Sequence, residues 1–451
     1  MLDRVTDSYV SRCSAGDRGL LDVMRTADFP PAFRAAYGQR LLARPLFVAD
    51  RTLRRFTDDL VAFFHLMTSL PQRLYGGDIP AYCAALGIDA ERTEVLRRFP
   101  LPPTVYGRAD LYHDGETYKL LEFNVGSSLG GSDRAQIPPA LLRVDAFARF
   151  AAEHGLSYVH TGERIAQAFR DAAAGLTGGA DPVVGFVETD GGLGEFLHMV
   201  KAFQEMMAGQ GVEVVLGEVS QVSERDGRLY LHGRPLDVVL RYFTENEIVT
   251  DARVARSAET IFRAHEEGRV VMWTTLASAL FHNKGCLALL SDPRSRAALS
   301  TVEVALVDRV LPWTRSLVDG PTDVDGQSVD LMEYCRERRA DLILKPRGSF
   351  GGSGIVVGWE QTDQEWKESL LSCAAGAYLV QHKVVPRPEP VVDPDTGAVE
   401  QWSATWGAFV TPDGYAGSCL RALPRGTGSV IGMGANARVC TTSIFSFPEA
   451  E

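Results

Sequence analysis

The sequence predicts a mixed α/β chain, an α+β core entered through a helical N-terminal region, and three observations carry that prediction. Apolar residues recur at helical spacing before residue 100, alternating strands bounded by turn signals begin at Val105, and an apolar strand, an amphipathic helix and a second apolar strand follow one another between residues 183 and 216. At 451 residues, 45% of them hydrophobic and 23% charged, the composition is globular and the chain too long for one core, so two or three packed subdomains are expected.

Taken in order, Leu53 to Leu66 shows the helical spacing most clearly, and Tyr75-Gly76-Gly77 interrupts it. Val105 to Tyr112 and Tyr118 to Val125, joined by His113-Asp114-Gly115, predict a β-hairpin, with Gly126 to Gly131 as the loop after it. Val183 to Val187 is a strand, Leu193, Phe196, Leu197, Val200, Phe203 and Met207 mark one face of a helix, and Val212 to Leu216 closes a parallel crossover unit. Helices are expected from Asn283 to Leu290 and from Asp330 to Arg339, the second leading into the strand Leu342 to Lys345. Thr362 and Glu365 form a capping box for a helix carrying Trp366, Leu370 and Leu371. A strand at Tyr378 to Gln381 and a hairpin turning at Thr411-Pro412-Asp413-Gly414 complete the set, while Pro386 to Pro390 with Asp393-Pro394-Asp395 reads as loop.

Composition narrows the function. No apolar run is long enough to span a bilayer, and Met1 to Val10 lacks the apolar centre of a secretion signal, so a cytoplasmic protein without a membrane partner is expected. The seven cysteines stand singly with no Cys-x-x-Cys pair, which suits reduced, buried thiols. A net charge of -12 with no basic stripe argues against a nucleic-acid partner and favours small-molecule chemistry. Lysine occurs only at 119, 201, 284, 345, 367 and 383, so a lysine beside a glycine-rich loop carries information, its ammonium being a compact charge for phosphate.

The most informative segment is Arg108-Ala109-Asp110 followed by Glu122-Phe123-Asn124. If the hairpin turn holds an odd number of residues, Arg108, Asp110, Glu122 and Asn124 share one face, and Ala109, Leu111, Leu121, Phe123 and Val125 the other. Two carboxylates and an amide oxygen converging on one spot suit Mg²⁺, although a solvated strand with scattered charge shows the same pattern. Lys345 ends an apolar strand just before Arg347-Gly348-Ser349-Phe350-Gly351-Gly352-Ser353-Gly354, whose glycines let backbone amides close over an anion; a merely flexible turn is the alternative. The stretch is neither a P-loop nor a dinucleotide fingerprint. Lys284 could reach the same phosphates or sit solvated on the surface, Gln381 ends a strand able to read adenine, Arg421 is either a phosphate clamp or a surface charge, and Arg241 could meet a substrate carboxylate or pair with an acid.

Together these residues resemble the circularly permuted ATP-grasp enzymes, within them the glutathionylspermidine-synthetase-like branch, over roughly residues 105 to 440. The resemblance rests on Arg-x-Asp and Glu-x-Asn, on Asn283-Lys284, on Lys345-Pro346 with Gly351-Gly352-Ser353-Gly354, and on Tyr378-Leu379-Val380-Gln381. It implies that Asp110, Glu122 and Asn124 ligate Mg²⁺, that Arg108 and Arg421 act catalytically on the transferring phosphoryl group, and that Lys284, Lys345, Gly351, Gly352, Ser353, Gly354 and Gln381 bind ATP. It places Ser127 and Ser128 at the acyl substrate, with Gly126 replacing the acidic residue expected before them. Metal ligands that precede both lysines give the permuted order. The implied divisions are a helical region at 1–104, a metal-binding hairpin at 105–150, a Rossmann-like substrate domain at 151–280 and a nucleotide-binding region with its glycine-rich lid at 281–451.

The activity so implied is ADP-forming ligation of a small-molecule acid to an amine (amino acid, peptide or polyamine) through an acyl phosphate, in an enzyme that a dimer prior makes a homodimer. A phosphotransferase using the same cradle, a non-catalytic nucleotide-binding protein, and a ligase whose acceptor is a thiol or polyamine rather than an amino acid are the alternatives. No appended phosphocarrier domain is evident, and Asp110, Glu122 and Lys345 are all present.

Overall fold

The computed structural model describes residues 3–349, 351–374 and 378–449; Phe350 of the glycine-rich stretch lies outside them. The N-terminal region is mostly helical, its longest helix running Asp50–Thr68. It also contains a strand, Leu46–Ala49, that pairs in parallel with Ile444–Phe447 near the other end of the chain. Four residues are too few to show a period against surrounding helices, and their partner lies outside any local window.

The predicted hairpin forms from Gly107–His113 and Tyr118–Val125. It joins the long hairpin Val399–Thr411 and Gly414–Pro424 in one antiparallel sheet, with Gly107–His113 beside Val399–Thr411. One face of this sheet presents Ala109, Leu111, Leu120, Phe123 and Trp406 to a core that includes Phe56, Phe63 and Phe64 of the Asp50–Thr68 helix. Pro388–Val392 extends the sheet by pairing with Val399 to Ser403. This overturns the loop expected at Pro386 to Pro390: a proline cannot donate to a ladder, yet it is tolerated in a strand with only one partner.

The crossover unit forms as read. Val183–Glu188, Glu213–Glu218, Val238–Arg241 and Val271–Trp273 make a four-stranded parallel sheet, flanked by the helices Thr161–Thr177 and Leu193–Ala208. A second four-stranded sheet, antiparallel, sets Tyr378–His382 between Thr314–Ser316 and Leu342–Pro346, with Val356–Val357 outside the latter. Alternation decides its faces: Leu342, Leu344 and Val380 enter a core with Trp366 and Leu370, so Ile343, Lys345 and Gln381 point the other way. The capping box at Thr362 and Glu365 closes as expected. No helix among the described residues is long and apolar enough to cross a membrane.

Candidate active site

The hairpin's polar face depends on a bulge. The connection Asp114–Thr117 has four residues, an even number, and His113 opposes Tyr118 while Leu111 opposes Leu120. Continued without interruption, that register would place Leu121 opposite Asp110. Between Asp110 and Leu111 the register shifts by one residue, so that Asp110 faces Glu122 and Arg108 faces Asn124. The four polar side chains therefore share a face for a reason other than turn length. The expected inward position of Leu121 is corrected by the same bulge, since Leu120 takes the core place and Leu121 lines a cavity instead.

That cavity has a volume of about 620 Å³ and lies between the two antiparallel sheets and the parallel one. At one end Asp110, 3% exposed, is gripped by two guanidinium groups. Arg108 donates from Nε to Oδ1 at 2.8 Å and from Nη2 to Oδ2 at 3.1 Å, and Arg421 Nη2 lies 2.8 Å from Oδ2. Burial pushes the Asp110 carboxyl up, but Arg108 and Arg421 outweigh it and hold the group well below the usual carboxylate range. The amide of Asn124 lies between the acids, 3.4 Å from Asp110 Oδ2 and 3.3 Å from Glu122 Oε1. Lys284 Nζ sits 3.3 Å from Glu122 Oε2 and donates to the Ser349 carbonyl at 2.7 Å. Lys345 Nζ donates to Gln381 Oε1 at 2.7 Å and to the Leu121 carbonyl at 3.0 Å, the carbonyl that the bulge presents. Burial lowers the Lys345 pKa to about 8, aided by Lys284 and opposed by Glu122 and Asp110.

Four cations thus surround two carboxylates, an excess of two positive charges in a mostly buried space. Such a field is unfavourable until an anion enters. Gly407, across the strand from Asp110, lets Arg108 lie flat on the sheet: a Cβ there would meet Arg108 Cδ and Cys419 Sγ, each at 2.9 Å.

Gly351 and Gly352 border the same end of the cavity, whereas Ser353 and Gly354 do not line it. Opposite them stands a second glycine-bearing loop that sequence reading passed over, of which Gly428, Ser429, Val430, Ile431 and Gly432 line the cavity. Ile343, Ile355, Trp359 and the strand end Gln381-His382-Lys383-Val384 complete a slot beside Lys345.

Of the residues expected at the substrate, only Ser128 reaches the cavity lining. Ser127 is buried and its hydroxyl donates to the Arg241 carbonyl. Arg241 is buried too, its guanidinium donating to the carbonyls of Thr274 and Phe243 and to Ser278 Oγ, so it clamps the chain around the end of its strand. Gly126 adopts φ +122°, and a Cβ there would approach Ser278 Oγ to 2.8 Å, so no acidic side chain fits at this position. The opposite end of the cavity, whose residues the sequence did not single out as a site although they fall within the region expected to hold substrate, is lined by Phe186 and Glu188 of one strand, Phe196, Met199, Val200 and Phe203 of the following helix, and Tyr242. Burial raises the Glu188 carboxyl to about 7, with the Thr189 amide opposing and Glu247 and Glu218 adding to the rise.

Neither a protein-family model nor a curated protein sequence matches this chain. A solved structure does: the apo form of a glutathione synthetase-like effector, GSS30, from Globodera pallida, 12% identical, covering 96% of each chain with a TM-score of 0.56. The fold is glutathione synthetase-like. A protein from Methylobacillus flagellatus KT that carries the provisional name gamma-glutamylcysteine synthetase aligns at 11% identity over 81% of this chain and 83% of its own, with a TM-score of 0.41, too low to bear on the fold. Within the glutathione synthetase-like fold, the six charged side chains gathered at the cationic end come from five separate segments, spanning residues 108 to 421.

Proposed function

We propose that this chain is an ATP- and Mg²⁺-dependent ligase that joins a carboxylate to an amine through an acyl phosphate. The observation that carries the proposal is the ring of Arg108, Arg421, Lys284 and Lys345 around Asp110 and Glu122, with two glycine-bearing loops at its mouth. Its surplus of two positive charges complements a nucleoside triphosphate carrying one Mg²⁺. The fold shared with a glutathione synthetase-like effector supports amide formation, and the motif order, Asp110 to Asn124 before Lys284 and Lys345, supports a circularly permuted ATP-grasp arrangement.

The donor set fits Mg²⁺: two carboxylates oppose each other across the hairpin beside an amide whose oxygen and nitrogen are interchangeable by a flip. Asp110, Glu122 and Asn124 would hold the ion, which when bound offsets phosphate charge. The adenine would lie in the slot of Ile343, Ile355 and Trp359 against the strand end at Gln381 to Val384, and Lys284 and Lys345 would take the phosphates. In the first step a carboxylate oxygen of the substrate bonds to the γ-phosphorus as the bond from that phosphorus to the β–γ bridging oxygen breaks, releasing ADP. In the second the amine, once its ammonium has lost a proton to solvent, bonds through nitrogen to the acyl carbon, the carbon–oxygen bond to phosphate breaks, and a second proton leaves the nitrogen for solvent. Arg108 and Arg421 neutralise charge on the phosphoryl oxygens in flight, and their mutual orientation through Asp110 makes them preorganised donors. The loops bearing Gly351 and Gly432 limit water, which would hydrolyse the acyl phosphate.

The test is a screen of carboxylic acids and amines with ATP and Mg²⁺, read by ADP release and by mass spectrometry of products. ADP and phosphate formed together with an amide, only when acid and amine are both present, is the expected result. ADP accompanied by a stable phosphorylated acid would mark a phosphotransferase and sink the proposal.

A further inference from the structure

The cavity holds two opposed chemistries. All of its lysines and arginines lie at the nucleotide end. The far end is bounded by Phe186, Phe203 and Tyr242, with Phe196 at its rim and the carboxylates of Glu188 and Asp133 in its wall. We propose that this far end binds the acceptor, and that the acceptor is a primary amine carried on a compact apolar body, its ammonium facing Glu188 and its hydrocarbon lying on Phe186 and Phe203. Calling the bound amine an acceptor rests on the ligase reading; its binding does not.

Three observations support the assignment. First, Phe186 and Glu188 stand two residues apart on one strand and so face the same side, and the Phe186 ring lies 4.1 Å from Tyr242 and 6.3 Å from Phe203 by centroids. An apolar wall and a carboxylate are thereby presented side by side. Phe196, on the helix that forms this wall, is left 42% exposed, an apolar side chain open to whatever enters. Second, the charge around Glu188 is acidic: Glu247 and Glu218 act on it, and among the described residues no lysine or arginine lies within ion-pair distance. Arg241, whose charge acts on Glu188, gives its hydrogen bonds to carbonyls and a hydroxyl. A monocation offsets this carboxylate, since Asp133, the other carboxylate of the wall, is 3% exposed and already acted on by Arg134. Third, the loop Ser128–Asp133 connects the two ends. Its Gly130 carbonyl accepts from Arg108 and its Leu129 carbonyl accepts from the Tyr242 hydroxyl at 2.9 Å, so an amine seated on Tyr242 is one loop away from the arginine assigned to the phosphoryl group.

Calorimetry with three simple probes tests this without turnover: phenethylamine, which has both features, ethylamine, which lacks the ring, and phenylacetate, which reverses the charge. Phenethylamine should bind the full-length protein at least tenfold more tightly than either of the others. Glu188→Gln should weaken it at least tenfold while ADP binding is unchanged, and Phe196→Ala, at a partly exposed position, should weaken phenethylamine but not ethylamine. Equal affinity for phenethylamine in Glu188→Gln and wild type, phenylacetate binding as tightly as the amine, or spermidine binding more tightly than phenethylamine would each overturn the assignment. Phenethylamine binding in a protein that releases no ADP with any acid would uphold the chamber and remove the ligase reading. ADP release with amines that leave phenethylamine neither bound nor acylated would do the opposite.

Discussion

The two ends of the cavity are built in different ways. At the cationic end, charge is concentrated and mutually restrained: one carboxylate, Asp110, pairs with both Arg108 and Arg421, and Glu122 pairs with Lys284. At the far end Glu188 stands among aromatic rings without an ion-pair partner among the described residues, while Asp133, the other carboxylate of the wall, is buried under the influence of Arg134. The first arrangement is suited to a multiply charged ligand and depends on all of its members, whereas the second is suited to a ligand with one charge and a hydrocarbon body. Variants at the two ends should therefore fail differently.

The largest effect is expected from Asp110→Ala. It leaves Arg108 and Arg421 buried without their shared counter-ion, and breaking a buried ionic pair by deleting one partner typically costs about 3–5 kcal/mol. Chemical denaturation should show that loss together with abolished turnover; an unchanged midpoint would mean that the arginines do not depend on this carboxylate. Arg108→Ala comes next. Removing one preorganised donor elsewhere costs about 3 kcal/mol of transition-state stabilisation, so kcat should fall about a hundredfold or more, while the amine KM stays close to wild type.

How far these two ends were legible in the sequence follows from the same contrast. The Arg108–Asp110 and Glu122–Asn124 pairs are two residues apart on strands with alternating polarity, so a local rule exposes them, and their grouping with Lys345 follows from a glycine-rich stretch. The bulge at Leu121 was not legible, because it depends on pairing across the hairpin. Nor were the individual residues of the far chamber, although a substrate domain was expected at 151–280. Phe196, Val200 and Phe203 are recognisable as one helix face, but nothing local says whether such a face meets a core or a cavity. Arg241 illustrates the reverse error, since a lone arginine at a strand end suggests a ligand, and only the carbonyls of Thr274 and Phe243 show what engages it.

Smaller effects are expected from the titration of Glu188 and from the packing around Arg108. Burial raises the Glu188 pKa to about 7, with Glu247 and Glu218 contributing and the Thr189 amide and Arg241 opposing. Protonation removes the charge, so the amine KM should rise as pH falls through about 7 and level off above it, and the Glu188→Gln profile should be flat between pH 6 and 8. The same shift has a stability consequence. A carboxyl whose folded pKa lies above its unfolded value favours the native state when protonated, and that advantage is lost as pH rises from about 4.5 through about 7. Glu188→Gln should therefore melt about 1–2 °C higher than wild type at pH 8, with a smaller difference at pH 5; a lower melting temperature at pH 8 would show that the carboxylate is structurally required. The smallest effect is expected from Gly407→Ala. The new methyl group displaces the Arg108 stem by a few tenths of an ångström, and kcat should drop several-fold with no change in phenethylamine affinity.

The proposed function requires that one cavity first transfer phosphate to a carboxylate and then pass the acyl group to an amine. The direct measurement uses the productive acid identified by the screen, labelled with ¹⁸O in its carboxylate, and follows the label by mass spectrometry of the released phosphate. One labelled oxygen in each phosphate formed, matched by one amide, is the expected result. Phosphate that carries no label while amide accumulates would contradict it.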